Sequence, residues 1–129
     1  MRNWLRYVYY WLPPLVWMSI IFYMSSQHRI TMTNSETEDF FAFKTLHVIE
    51  YAFLFFLLYR ALTTLAFKKH QFTFIIAFLV ASFYSMTDEF HQLFIPSRTG
   101  RVRDVFIDMG GMIIMYTIIR TIRVVRKLL

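Results

Sequence analysis

Imidazole, carboxylate and ammonium groups recur at helical spacing in three short stretches of this chain. Lys44, His47 and Tyr51, with Glu50 three residues beyond His47, fall on one face of a helix. Asp88 and Gln92 are one helical turn apart, with Glu89 beside them. Asp104, Asp108 and Gly111 follow at i, i+4 and i+7. A carboxylate three residues from an imidazole can form half of a metal site in a helix bundle, with Glu89 and Asp104 or Asp108 completing it. The same pair can instead be a buried hydrogen-bonded lock between helices. The lock is the stronger reading, so no metal and no cofactor is assigned from the sequence. Asp88 and Glu89 are either a carboxylate pair able to shuttle a proton or two separate groups, one paired with Arg98 and the other facing polar headgroups. On the first reading His47, Glu50, Asp88 and Glu89 are the candidates for acid–base chemistry. Arg98, Arg101 and Arg103 lie on one short turn. They either grip a phosphate or diphosphate through their planar forks or neutralise Asp88, Glu89 and Asp104. No phosphate-cradling glycine loop, nucleophile elbow, zincin signature or dinucleotide fingerprint accompanies them.

The elements that must position these groups are apolar. The chain has 129 residues, room for about one domain, and is 57% hydrophobic and 20% aromatic with only 17% charged residues. So small a soluble globule has no way to hide that much apolar surface. With no Cys there is no disulfide framework, thiol nucleophile, thiolate metal site or palmitoylation site. A helical span needs about 20 mostly apolar residues. Four segments meet this, at about 8–24, 41–65, 72–95 and 105–119, joined by 27–40, 66–71 and 96–104. They are about twice the length of a membrane β-strand and lack its alternation. Arg2 and Arg6 ahead of the first run also fit a signal peptide, but no small-residue cleavage site follows and the run is long for one. An uncleaved first helix is expected, with Pro13 and Pro14 near its cytoplasmic end. The first segment's Trp4, Tyr7, Tyr9, Tyr10 and Trp11 read as an interfacial aromatic belt, with Trp17 deeper.

Charge sets the orientation. Arg2 and Arg6, then Arg60, Lys68 and Lys69, then Arg120, Arg123, Arg126 and Lys127 flank the apolar runs with no acid among them. All eight acids lie toward the other face, together with Arg29, Lys44, Arg98, Arg101 and Arg103. Lys and Arg collect on the cytoplasmic side of membrane proteins. The expected architecture is therefore an all-α, four-transmembrane-helix bundle, one domain over 1–129, with both termini cytoplasmic. The basic residues are short juxtamembrane clusters suited to anionic lipid, so no nucleic-acid partner is expected. A charged side chain in a span costs about 2.5–3.5 kcal/mol on insertion scales, yet here the charges gather at the outward ends of three helices. At about 1.5 Å per residue, Glu50 stands about 9 Å below Lys44 and Asp88 about 10 Å below Ile95, depths within one leaflet. Gly110-Gly111 lets a neighbouring helix approach closely. His28 and His70 read as loop residues, His91 as interfacial, and Glu36, Glu38 and Asp39 as a solvated loop and helix cap, with Asn34 or Ser35 as other caps.

The runs KTLHVIEY at 44–51 and TDEFHQLFIPSRTGRVRDVFIDMGG at 87–111 resemble the VanZ-like family of small bacterial membrane proteins. The matching positions are Lys44, His47 and Tyr51, then Asp88, Glu89, Gln92, Phe94, Pro96 and Arg98, then Asp104, Asp108 and Gly111. Two positions depart from the pattern: Phe43 stands where an acid often precedes the Lys, and Asp108 where Asn is more frequent. The resemblance implies a multi-pass protein of the bacterial cell membrane. It also implies a link to resistance against teicoplanin, a lipid-bearing glycopeptide. Three functions are open. The first is an envelope protein whose outer-leaflet pocket binds an anionic or isoprenoid-linked lipid or a cell-surface precursor. The second is a membrane enzyme acting on a lipid headgroup, and the third a small proton-coupled lipid transporter. The ligand-binding set expected is Lys44, His47, Tyr51, Asp88, Glu89, Gln92, Arg98, Arg101, Asp104 and Asp108. Neither the ligand nor the oligomeric state follows from the residues.

Overall fold

The computed structural model describes residues 3–27, 36–65, 70–96, 98, 100–122, 125 and 127–129. Arg2, His28, Arg29, Asn34, Ser35, Lys68, Lys69, Ser97, Arg123 and Arg126 lie outside the described residues. Among the described residues there are four helices: α1 (Asn3–Ser26), α2 (Glu36–Thr63), α3 (His70–Gln92) and α4 (Val102–Thr121). The described residues form helices and turns with no strand, in keeping with the long apolar runs. α2 starts at Glu36, earlier than its apolar run, so Glu36, Glu38 and Asp39, expected in the loop and cap, belong to the helix. α1 likewise starts before Val8. Pro13 and Pro14 are therefore inside the helix rather than near its end, and two backbone donors are missing there.

α2 is the hub: it packs against each of the other three helices, most extensively against α4, while α1 and α4 do not meet among the described residues. A helix surrounded in this way must be apolar all round. α2 accordingly supplies most of the core through Tyr51, Leu54, Phe55, Leu58, Tyr59 and Leu62. Phe74 of α3 and Tyr116 of α4 close on it with ring centroids 4.3 Å apart. α3 turns a stripe of small and polar residues inward, including Thr73, Ala77, Ala81, Ser85, Asp88 and Gln92, and this lets its backbone lie close to its neighbours. At Gly111 an added Cβ would stand 2.8 Å from the Val48 carbonyl oxygen, so α2 and α4 touch backbone to backbone there. Gly110, by contrast, has nothing within 4 Å, and the close approach belongs to one glycine of the pair.

The outer surface is apolar on every helix. Leu12, Leu15 and Val16 of α1, Ile49 of α2, Leu79 and Phe83 of α3, and Phe106, Ile113 and Ile114 of α4 are all exposed. Contiguous exposure of this kind marks a surface made for a partner or for lipid. Two helices, Phe41–Thr63 and His70–Gln92, are long and apolar enough to cross a membrane by length and composition. α1 and α4 fall short for visible reasons. Trp, Tyr and Pro lower the hydropathy of α1, and α4 carries Arg103, Asp104, Asp108 and Arg120.

Candidate functional site

The N-terminal half of α2, the C-terminal ends of α1 and α3 and the start of α4 meet at one end of the bundle, and the polar residues of all four gather there. Asp104, in the first turn of α4, forms an ion pair with Lys44 of α2. Its other oxygen has the exposed Arg103 Nε at 3.8 Å. One turn further in, Asp108 accepts a hydrogen bond from Ser85 Oγ of α3 at 2.7 Å. Glu89 accepts the Arg101 backbone N–H at 2.9 Å. That bond exists because residue 100 is glycine: a Cβ there would lie 2.0 Å from the Glu89 carbonyl oxygen. Asp88 accepts from Gln92 Nε2 at 3.1 Å, and the same amide donates to Ser25 Oγ of α1 at 2.8 Å.

His47, Asp88, Glu89, Gln92, Asp104 and Asp108 are all buried. Several keep one polar atom without a hydrogen-bond partner among the described residues: His47 Nδ1, Tyr51 OH, Asp88 Oδ1, Glu89 Oε1 and Asp104 Oδ1. Buried polar atoms are nearly always paired, so His47 Nδ1 and Glu89 Oε1, close together in the cluster, point to a ligand, ion or water held between them. The His47 and Tyr51 rings stack with centroids 6.1 Å apart. One nitrogen of His47 and one carboxylate oxygen from each of Glu89 and Asp108 lie within 4.8 Å of one another.

Glu50 is not part of that triplet. It lines a small cavity of about 120 Å³ beside α1 with Ser25, His47 and Arg98, so the set of three ligands brought together among the described residues is His47 with Glu89 and Asp108, without Glu50. Arg98 donates from Nε to the Gln27 carbonyl and from a terminal nitrogen to that of Met24, both at 2.9 Å. Two of its donors therefore close the C-terminal end of α1, where helix carbonyls lack partners. Arg101 and Arg103 are exposed. Ser25 and Ser85 escape a reading of ionisable residues alone. The signal for Ser85 is its spacing, three and four residues before Asp88 and Glu89. His91 accepts or shares a hydrogen bond with Ser26 Oγ at 3.0 Å and stacks on Phe22, away from the triplet. Trp17 donates to the Glu50 carbonyl at 3.0 Å and Trp11 to Thr64 Oγ1 at 3.2 Å, so these two rings fasten α1 to α2.

At the opposite end Arg60 lies over the Tyr9 and Tyr10 rings, 4.8 and 4.5 Å from their centroids, and donates to the Leu128 carbonyl. The two ends thus differ in kind, one acidic and enclosed, the other basic and aromatic.

A helical bundle with an apolar exterior and an enclosed polar cluster at one end is the build of a small membrane protein. The VanZ/LLP1 family model matches residues 10–123, and the chain belongs to that family. No curated protein and no solved structure matches it.

Proposed function

We propose that the chain is an envelope protein of the bacterial cell membrane that crosses the bilayer four times with both termini in the cytoplasm. In this reading it binds an anionic lipid, or a lipid-linked cell-surface precursor, from the outer leaflet. The observation that carries the reading is a groove of about 270 Å³ between α3, the turn after it and α4. Met86, Phe90, Val105 and Phe106 line its apolar length, and Glu89 and Arg101 mark its polar limit. An acyl or isoprenoid chain suits the first part, and the exposed Arg101 guanidinium suits a phosphate at the second. The exposed apolar faces of α1 and α4 support four crossings. The contact of Arg60 with Tyr9, Tyr10 and Leu128 puts the two chain ends on one side of the bundle, in keeping with the basic flanks. Occupancy of such a site by a cell-surface precursor would lower the access of lipid-bearing glycopeptides, the effect implied by the link of VanZ-like proteins to teicoplanin resistance.

Native mass spectrometry of detergent-purified protein tests this. Wild type should retain anionic or isoprenoid-linked lipid, Arg101→Ala should lose most of it, and Arg120→Ala, at the basic end, should keep it. Equal retention in the two variants would remove the groove as the site. A second reading, an enzyme acting on the headgroup, is favoured by the unpartnered buried oxygen of Glu89, which lines that groove, and by His47 within reach of Glu89. It predicts that Glu89→Gln binds lipid but leaves it unaltered. The transporter reading gains no support: among the described residues the buried Asp, Glu and His all lie at the site's end of the bundle, and the other half buries the hydroxyl-bearing Tyr59 and Thr73.

A further inference from the structure

We propose that His47, Glu89 and Asp108 form a binding site for one divalent transition-metal cation where α2, α3 and α4 meet. Three different helices bring a ring nitrogen and two carboxylate oxygens to within 4.8 Å of one another. The three residues are 9%, 5% and 1% exposed, so the donors face each other in an enclosed space rather than water. Ligands about 2.1 Å from a tetrahedral ion stand roughly 3.4 Å apart, so side-chain rotation alone can close the shell.

The surroundings are those of a ligand set. Arg101 N–H fixes one oxygen of Glu89 and Ser85 Oγ–H fixes one of Asp108, while Glu89 Oε1 and His47 Nδ1 remain without partners among the described residues. Outer hydrogen bonds that orient ligating carboxylates are a regular part of metal sites. The charge balance points the same way. Asp88, Glu89, Asp104 and Asp108 are four buried carboxylates, and Lys44 and Arg98 are the cations that act on the cluster among the described residues, with the exposed Arg103 at its edge. Buried anions require compensation, and a divalent cation supplies it. One imidazole with two carboxylates suits zinc or manganese, and three protein ligands leave a position open, as in catalytic rather than structural sites. Glu89 also lines the α3–α4 groove, so the open position adjoins the place where a lipid phosphate would lie. That last link rests on the lipid-binding reading; the metal site itself does not.

The test uses delipidated, chelator-stripped protein in detergent micelles, loaded with Zn²⁺ or Mn²⁺, desalted and assayed for metal. Wild type should hold about one equivalent and unfold at a higher temperature when loaded. His47→Ala and Asp108→Asn should lose both effects, while His91→Ala should keep both. X-ray absorption of zinc-loaded wild type provides a readout that does not depend on any variant folding. It should show a shell of nitrogen and oxygen with a single imidazole. Absence of uptake by wild type, uptake unchanged in His47→Ala, or a shell with no imidazole or several would each overturn the site. Because lipid is removed beforehand, loss of lipid binding and loss of metal binding are separate outcomes.

Discussion

The Lys44–Asp104 ion pair gives the most direct test of how the polar end is held together. Asp104 is 2% exposed and the Lys44 side chain 13%, so little solvent screens the pair. Two unit charges 4 Å apart attract by about 4 kcal/mol at an effective dielectric of about 20, and desolvation offsets much of this. The asymmetry lies in removing one partner. Lys44→Met leaves a buried carboxylate whose other neighbour, Arg103, is 3.8 Å away and mostly in solvent. Breaking a buried pair in this way costs about 3–5 kcal/mol, whereas replacing both partners by apolar groups of similar size is often nearly neutral. Asp104→Leu also gives up a carboxylate in the first turn of α4, worth about 0.3–1 kcal/mol, so the single costs cannot be compared directly. The double-mutant cycle removes that ambiguity. Unfolding by rising SDS fraction in mixed micelles, followed by tryptophan fluorescence, should show Lys44→Met strongly destabilised. The double variant should recover at least about 2 kcal/mol relative to the sum of the singles. Additivity within about 0.5 kcal/mol would refute the coupling and with it the view that this pair joins α2 to α4.

Three further predictions follow from individual contacts. Gly111→Ala places a methyl 2.8 Å from the Val48 carbonyl and should lower stability by about 1–3 kcal/mol, whereas Gly110→Ala meets nothing and should be neutral or stabilising; thermal unfolding in micelles separates them. Arg98→Ala removes the guanidinium bonds to the Gln27 and Met24 carbonyls, leaving the latter with only the Gln27 N–H among the described residues, and should destabilise; Arg98→Lys should not restore the wild type, since one ammonium cannot reproduce the fork, and the same unfolding assay applies. Impermeant thiol labelling of spheroplasts should reach Glu38→Cys and Val102→Cys but not Leu65→Cys or Leu128→Cys; labels at positions 38 and 102 falling on opposite sides would dismantle the four-span topology.

The parts of this fold that sequence made legible are those set by periodicity and charge. The helices follow from four long apolar runs, and the gathering of Lys44, His47, Asp88, Glu89, Asp104 and Asp108 follows from three polar stripes at matching heights. What sequence hid is which neighbour each polar group chooses, because that depends on distances of an ångström or two between elements far apart in the chain. Arg98 reads as an anion ligand or a carboxylate partner by residue type, yet two of its donors close the end of α1. His47 and Glu50 share a helix, a spacing and one small cavity beside α1, but only His47 also comes within reach of Glu89 on α3 and Asp108 on α4. Gly100 has no neighbour in sequence to betray its role; only the passage of the turn over the Glu89 carbonyl does.

The residues that could do chemistry here are also the ones that join the helices. Lys44 with Asp104 links α2 to α4, Ser85 with Asp108 links α3 to α4, and Gln92 with Ser25 links α3 to α1. In lipid, apolar faces gain little by meeting one another, so interhelical hydrogen bonds and close packing at small residues carry much of the association. A polar site at the meeting point of four helices therefore specifies the bundle as well as any ligand. Loss of activity on truncating such a residue would be ambiguous, since the helices would separate too. Near-isosteric changes such as Glu89→Gln and Asp108→Asn keep the hydrogen bonds from Arg101 and Ser85 while removing the charge, and so they separate what the cluster holds from what it holds together.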